Sequence, residues 1–332
     1  MRETPARIRR FELVFLGTRG EIKIRSRRHR RHAALLIRHN DARIMIDCGS
    51  DWLRLLPAIA PTAIVLTHAH PDHAWGLARG AQCPVYATRE TSDLLRGFPV
   101  RDWRCVPLGK RVLIDGVSFK AYAVQHSLRA PAVGYRIAAE GRSLFYVPDV
   151  AWLPDAAHVL RGTDVYIGDG ATVTRRLIRQ RAGALIGHAA VATQLSWCRE
   201  ADVRQAMFTH CGSQVVGGDA RRLNAVLRRL GRERDLEARL ACDGDQVLFT
   251  NGDSPKRAAG SARNRIGRFP VSIVTAKRSK PSSRKHAGLS PENASSAAAT
   301  ADVFRPSQAR TTAVSTNQRR RLIKRNAVEH LD

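Results

Sequence analysis

The stretch TAIVLTHAHPDHAWGL, residues 62–77, places His68, His70, Asp72 and His73 within six positions directly behind an apolar run. On an extended chain, side chains two apart project to the same side, so His68 and His70 can converge on one cation. Pro71 favours a turn into a helix start, which can aim Asp72 and His73 at a second position nearby. Imidazole combined with carboxylate suits zinc first, with manganese or iron as alternative occupants. Three histidines and an acid behind a buried strand would be expensive to desolvate without a cation to satisfy them. A histidine standing alone is more often structural, and that is the reading for His29, His32, His39, His158, His286 and His330.

These residues need strands to hold them. Short apolar or β-branched runs bounded by turn residues recur through the first 250 positions: FELVFLG, AALLI, RIMID, AIVLT, PVYA, VSFKAYAV, VGYRIA, SLFYV, DVYIG, QAMFT and QVLFT. Helices are expected over 51–58, 88–96, 155–160, 191–200 and 219–230. A strand-rich first half followed by a second such mixture fits a two-sheet α/β sandwich better than a strictly alternating parallel sheet.

The chain has 332 residues and a formal charge of +27, unevenly divided. Residues 1–250 carry 39 Lys and Arg against 24 Asp and Glu, and residues 251–332 carry 17 against 5. The pattern of apolar runs stops near residue 250, so the expected division is a folded domain over 1–252 and a basic, disordered tail over 253–332. Basic surface favours a polyanionic partner, because each neutralised phosphate releases counterions. Within 1–250 the only lysines are Lys23, Lys110 and Lys120, so genome composition is an equal account of the arginines there.

Six cysteines (Cys48, Cys83, Cys105, Cys198, Cys211, Cys242) form no CxxC pair, which argues against a disulfide framework or a zinc knuckle and fits a reducing compartment. The N-terminal apolar run reads as a first strand rather than a signal peptide, and no run approaches about 18 apolar residues. A cytoplasmic protein with no membrane partner is the expectation.

The segment THAHPDH resembles the THxHxDH signature of the metallo-β-lactamase superfamily. FLGTRGE, RRHAALLI, RIMIDCGS, VQHSLRAPAVGYRI, YVPDV, YIGDG, IGHAAV and FTHCG follow in the order of its phosphodiesterase branch, which includes tRNase Z and the cyclic phosphodiesterase of phosphonate degradation. The resemblance covers roughly residues 11–250. It implies the αββα sandwich of that superfamily, in which two packed mixed β-sheets are flanked by helices. It also implies two divalent metal ions, zinc first. His126 would complete a first site with His68 and His70; Asp149 would bridge; Asp72, His73 and His210 would hold the second. His188 stands where the branch places a histidine near the leaving group, with Ala189 where Ser or Thr is frequent, and Asp169 where an acid orients that histidine. Homodimers are common in the branch, and the resemblance suggests one here.

Two cations lower the pKa of a bridging water and clamp the attacking and departing oxygens of an in-line displacement, so hydroxide becomes available at neutral pH. In that chemistry Asp72 accepts a hydrogen bond from the nucleophile and His188 protonates the leaving alkoxide, aided by Asp169. The basic stretch IRSRRHRRH, residues 24–32, makes Arg31 or a neighbour a candidate for the substrate phosphate, because arginine presents a planar fork of donors. A solvated basic loop is the equal alternative.

The expectation is therefore a dinuclear metal-dependent phosphodiesterase acting on a cyclic, nucleotide-like or nucleic-acid diester. Only 22 residues separate His126 from Asp149, which leaves no room for the long arm of tRNase Z there and favours the small cyclic phosphodiesterases. Two alternatives stand beside it. One is a thioesterase or lactone hydrolase of the glyoxalase type on the same fold. The other is a nucleic-acid-binding protein with a structural metal site, its basic tail making the contact.

Overall fold

Two seven-stranded sheets packed face to face carry the functional side chains on their strand ends. A computed structural model describes residues 11–249; the expected boundary at 252 and the basic tail beyond it lie outside them. The first sheet has the spatial order Gln246–Phe249, Phe11–Gly17, Ala34–His39, Ala42–Ile46, Ala63–Val65, Val85–Ala87 and Trp103–Cys105. The second runs Glu237–Leu240, Gln205–Thr209, Val165–Asp169, Arg142–Tyr146, Ala132–Ala139, Val117–Val124 and Arg111–Ile114. Each sheet is mixed, with antiparallel pairs on one side and parallel pairs on the other.

Alternation along the strands sorts the side chains into three layers. In Ala42–Ile46, Ile44 and Ile46 enter the core between the sheets while Met45 faces outward. In Arg142–Tyr146, Leu144 and Tyr146 point inward and Phe145 outward. Both faces are covered, so the strands read as nearly continuous apolar runs. The outer face of the first sheet packs against Trp52, Leu56 and Leu77, and that of the second against Leu195, Trp197 and Leu227 on the helices Val191–Glu200 and Ala220–Arg232. The result is the expected αββα sandwich.

Five strands escape the sequence pattern, and each does so for a physical reason. Trp103–Cys105, Arg111–Ile114 and Glu237–Leu240 form sheet edges, where one side faces water and polar residues blunt the exposed ladder. The other two, Leu177–Arg181 and Ala184–His188, form a separate two-stranded ribbon. The helix expected over 51–58 is also broken, into a 3-10 turn at Ser50–Trp52 and a short helix at Leu56–Ile59. Pro57 lacks a donor and its ring would clash with a carbonyl four residues back, so it is accommodated only in the first turn of a new helix.

Candidate metal centre

Parallel strands of both sheets end at one rim of the sandwich, and the chemistry-bearing residues sit just beyond those ends. His68 follows Ala63–Val65, Asp149 follows Arg142–Tyr146, Asp169 closes Val165–Asp169 and His210 follows Gln205–Thr209. Pro71 starts a single turn, Pro71–Ala74, that carries Asp72 and His73. Gly49 lets the preceding loop approach that turn: a Cβ there would lie 1.9 Å from the Asp72 carbonyl oxygen. Two non-glycine residues at the rim, Asp47 (φ 62°) and His210 (φ 52°), adopt the left-handed region, a strain of about 1–3 kcal/mol each that packing must hold in place.

Three groups of possible ligands share Asp149; one of them joins it to Asp169, His188 and His210, and the other two are the clusters expected to hold metal. The first of these two is His68, His70, His126 and Asp149, and the second is Asp72, His73, Asp149 and His210. In the first, His68 Nε2 lies 2.9 Å from His70 Nδ1 and 3.3 Å from Asp149 Oδ2, and His126 Nε2 lies 3.3 Å from His70 Nδ1. A tetrahedral zinc with bonds near 2.0–2.1 Å has donor-to-donor edges of roughly 3.3 Å. In the second, His73 Nε2 lies 3.2 Å from Asp72 Oδ2 and 2.9 Å from Asp149 Oδ2, and His210 Nε2 lies 3.0 Å from Asp72 Oδ2.

The donors are aimed by what holds their other atoms. His73 Nδ1 donates to Asp47 Oδ2 at 2.9 Å, which leaves the Nε2 lone pair facing the cluster. His126 Nδ1 donates to the Gly187 carbonyl at 3.0 Å with the same result. Thr67 donates its hydroxyl to Asp47 and accepts from His68 Nδ1 at 3.0 Å, so Asp47 orients a histidine of each cluster. Within this packed site His73 Nε2, Asp149 Oδ1 and His210 Nδ1 are buried and make no aligned hydrogen bond, although His73 Nε2 lies 2.9 Å from Asp149 Oδ2 and His210 Nδ1 lies 2.9 Å from Asp149 Oδ1. Buried donors crowded this closely without aligned hydrogen bonds are what a cation would satisfy, and the residues fit a divalent metal.

Charge leads to the same reading. Burial, aided by neighbouring histidines, holds His68 well below the ordinary histidine range and His70 down at about 4, so both present neutral nitrogen. His126 is lowered chiefly by burial. Burial also opposes charge on His73 and His210, but Asp72, Asp47 and Asp149 around the first, and Asp149, Asp169 and Asp72 around the second, outweigh it and raise both. Four buried carboxylates, of Asp47, Asp72, Asp149 and Asp169, thus draw protons onto two histidines where a cation would take their place.

His188 sits at the edge of this centre. Its Nδ1 lies 2.8 Å from Asp169 Oδ2 and 3.4 Å from Asp149 Oδ1, and its side chain is 25% exposed where the others, half-buried His70 apart, are buried. Asp169 is fully enclosed: its carboxylate accepts from the Val150 and Ala171 amides as well as from His188. Gln194 accepts from the Asp169 amide and donates to its carbonyl. The structure therefore gathers His68, His70, Asp72, His73, His126, Asp149, Asp169, His188 and His210 at one rim. It does not bring Arg31 to them; that guanidinium lies over the Trp52 ring, 5.4 Å from its centroid.

Three further positions matter here that sequence patterns do not single out. Asp47 shows in the sequence only as an acid closing an apolar strand. Gln194 sits in a helix with no marker of its role. Arg19, 1% exposed, pairs with Asp51 at 2.6 Å and donates to the carbonyls of Gly20 and Ile22, fixing the loop that runs past His210. Asp47→Asn would place an amide donor against His73 Nδ1 and push the ring proton to Nε2. Metal affinity is expected to fall about 10–100-fold, read by competition with a chromophoric chelator; unchanged affinity would mean that Asp47 does not set the tautomer.

Comparison with known proteins supplies the family and the fold. A family model described as "Beta-lactamase superfamily domain" matches residues 42–211. Ribonuclease Z of Methanopyrus kandleri is 31% identical over 145 residues, 38% of this chain and 50% of that protein. Ribonuclease Z of Kineococcus radiotolerans is 30% identical over 185 residues, covering 46% and 54%. The chain spans about half the length of these curated relatives. Among solved structures, a diphosphatase of the PhnP family aligns with a TM-score of 0.57 at 22% identity, over 72% of this chain and 97% of that one. Zinc-bound PqqB from Methylobacterium extorquens aligns at 0.55 and 18%, over 71% and 99%. At these identities the structural likeness is one of fold.

Proposed function

The chain belongs to the β-lactamase superfamily, and from that premise we propose that it is a metal-dependent phosphodiesterase with a dinuclear centre. His68, His70 and His126 would hold one divalent cation, Asp72, His73 and His210 the other, and Asp149 both. When bound, such a pair supplies Lewis acidity that lowers the pKa of water and clamps the oxygens of an in-line displacement. The relatives named ribonuclease Z support a phosphodiester as the substrate class.

The observation that carries this reading is the His188–Asp169 pair. With Nδ1 committed to Asp169, His188 exchanges protons with substrate through Nε2. Burial opposes its charge, but the carboxylates of Asp169 and Asp149 overcome that and push its pKa up to about 10. A protonated imidazole at the partly open edge of the centre suits a poor leaving group such as a ribose hydroxyl. A thiolate leaving from a thioester needs no such proton, so the pair favours the phosphodiester.

Elemental analysis together with hydrolysis of bis-p-nitrophenyl phosphate tests the proposal. Two metals per chain and activity abolished by a chelator, then restored by zinc or manganese, are expected. Metal-loaded protein that leaves this ester intact but cleaves thioesters or lactones would overturn the phosphodiester assignment. Fewer than one metal per chain after reconstitution would overturn the dinuclear one.

A further inference from the structure

The ribbon Leu177–Arg181 and Ala184–His188 stands apart from both sheets and ends on His188. It turns through Ala182 (φ 47°) and Gly183 (φ 78°), the two left-handed residues of a tight hairpin. Its second strand is tied to the segment that carries His126: the Gly187 amide donates to the His126 carbonyl and the Leu185 amide to the Gln125 side chain.

The register sorts its side chains. Leu177 pairs with His188, Arg179 with Ile186 and Arg181 with Ala184, and residues directly opposite on a ribbon project to the same face. Ile178, on the other face, packs against the apolar layer over the second sheet. The face that carries His188 therefore also carries Arg179 and Arg181, both exposed and neither with a carboxylate partner among the described residues. Arg175 and Arg176 are exposed at the base of the same ribbon, and no acidic residue occurs between Asp169 and Glu200. Arg179 and Arg181 are alternate residues of one strand, about 7 Å apart, and His188, opposite Leu177 on the other strand, is the diagonal neighbour of Arg179 at about 7–8 Å, so the three follow one another across this face in roughly even steps. That is a spacing suited to successive phosphates of an extended strand, and arginine is the side chain suited to phosphate.

We propose that this face is a docking arm for single-stranded nucleic acid, leading one phosphodiester to His188 while Arg179 and Arg181 hold the phosphates that follow. This rests on the phosphodiesterase reading above and narrows its substrate to a chain of diesters. One isolated cyclic diester would leave both arginines unused.

The test uses the full chain and a fluorescein-labelled single-stranded 15-nucleotide DNA, with anisotropy titrations across a series of salt concentrations. For Arg179→Ala/Arg181→Ala, affinity should fall about tenfold and the slope of log affinity against log salt should lessen by about 1.4, or 0.7 for each phosphate that no longer meets an arginine. Arg179→Lys/Arg181→Lys should keep the wild-type slope. Equal slopes in wild type and alanine variant would overturn the arm, as would a lysine variant as impaired as the alanine one. Inorganic polyphosphate binding as tightly as the oligonucleotide, with the same reduction of slope in the alanine variant, would overturn nucleic acid as the occupant. The two readings fail separately: wild type inert toward bis-p-nitrophenyl phosphate but showing the slope difference removes the phosphodiesterase, and active wild type without it removes the arm.

Discussion

His188→Ala should cleave bis-p-nitrophenyl phosphate within about tenfold of the wild-type rate while losing 10²–10⁴-fold on a diester whose leaving group is a ribose hydroxyl. p-Nitrophenolate is stable enough to depart without a proton, whereas a ribose alkoxide is not. The divergence between substrates is therefore the signature of an acid. His188→Ala also leaves the seven residues assigned to the two cations in place, so elemental analysis should still return the wild-type content. Equal losses on both esters would assign His188 to binding or to metal retention instead. A pH profile supplies a second readout. His188 is pushed up to about 10 by its carboxylates against the opposing effect of burial, and cations at the neighbouring clusters would draw that value down. The acid form, and with it cleavage of the ribose ester, is present below the operative pKa and lost above it. Asp169→Asn removes the nearest carboxylate, 2.8 Å away, so the alkaline fall should move to lower pH. A profile identical to wild type would detach Asp169 from this role.

Asp149→Ala should be the most damaging single substitution. Its carboxylate belongs to both ligand clusters and approaches His68, His73, His126, His188 and His210. Without it neither cluster keeps its shared anionic member, so metal content should drop below one per chain and bis-p-nitrophenyl phosphate hydrolysis should fall to background. The protein itself should also suffer. Asp149 is held well below the carboxylate range: burial opposes its charge, and His210, His126 and His73 more than offset that. Removing one partner from such a buried charge network costs about 3–5 kcal/mol, visible as a lower denaturant midpoint of the chelator-treated protein. Asp149→Asn separates the effects, since it keeps the volume and removes the charge. Two metals retained in either variant, with activity within tenfold of wild type, would exclude Asp149 as the shared ligand.

Much of this site can be read along the chain because its parts are local. His68, His70, Asp72 and His73 sit within one short stretch, and Pro71 does start the turn that carries Asp72 and His73. His126, Asp149 and His210 stand out through resemblance, each just past the end of an apolar strand. The strands of the sheet interiors are legible because both faces are buried. The edge strands Trp103–Cys105, Arg111–Ile114 and Glu237–Leu240 and the ribbon are not, because half or more of their side chains are left unburied.

Arg31 and Arg19 show what position alone leaves open. Arg31 lies in the basic loop that marks it in the sequence, and its guanidinium rests on Trp52, while the buried arginine near the centre is Arg19, in a turn with no charge pattern to mark it. Asp47 and Gln194 are silent in the sequence for a similar reason: a carboxylate or amide acquires its role from the groups it meets, and these come from distant parts of the chain. Gln194 meets Asp169 from 25 positions away, and Asp47 meets His73 from 26.

By itself the sequence determined which residue types were available for metal chemistry, that strands would present them, and which superfamily the chain resembles. Those properties depend on composition and on periods of a few residues. Only the tertiary structure decided which nitrogen of each histidine faces the centre, that Asp47 serves both clusters, and that His188 shares a ribbon face with Arg179 and Arg181. Hydrogen-bond partners and strand register arise when segments far apart in the chain are packed together, and no local pattern encodes them.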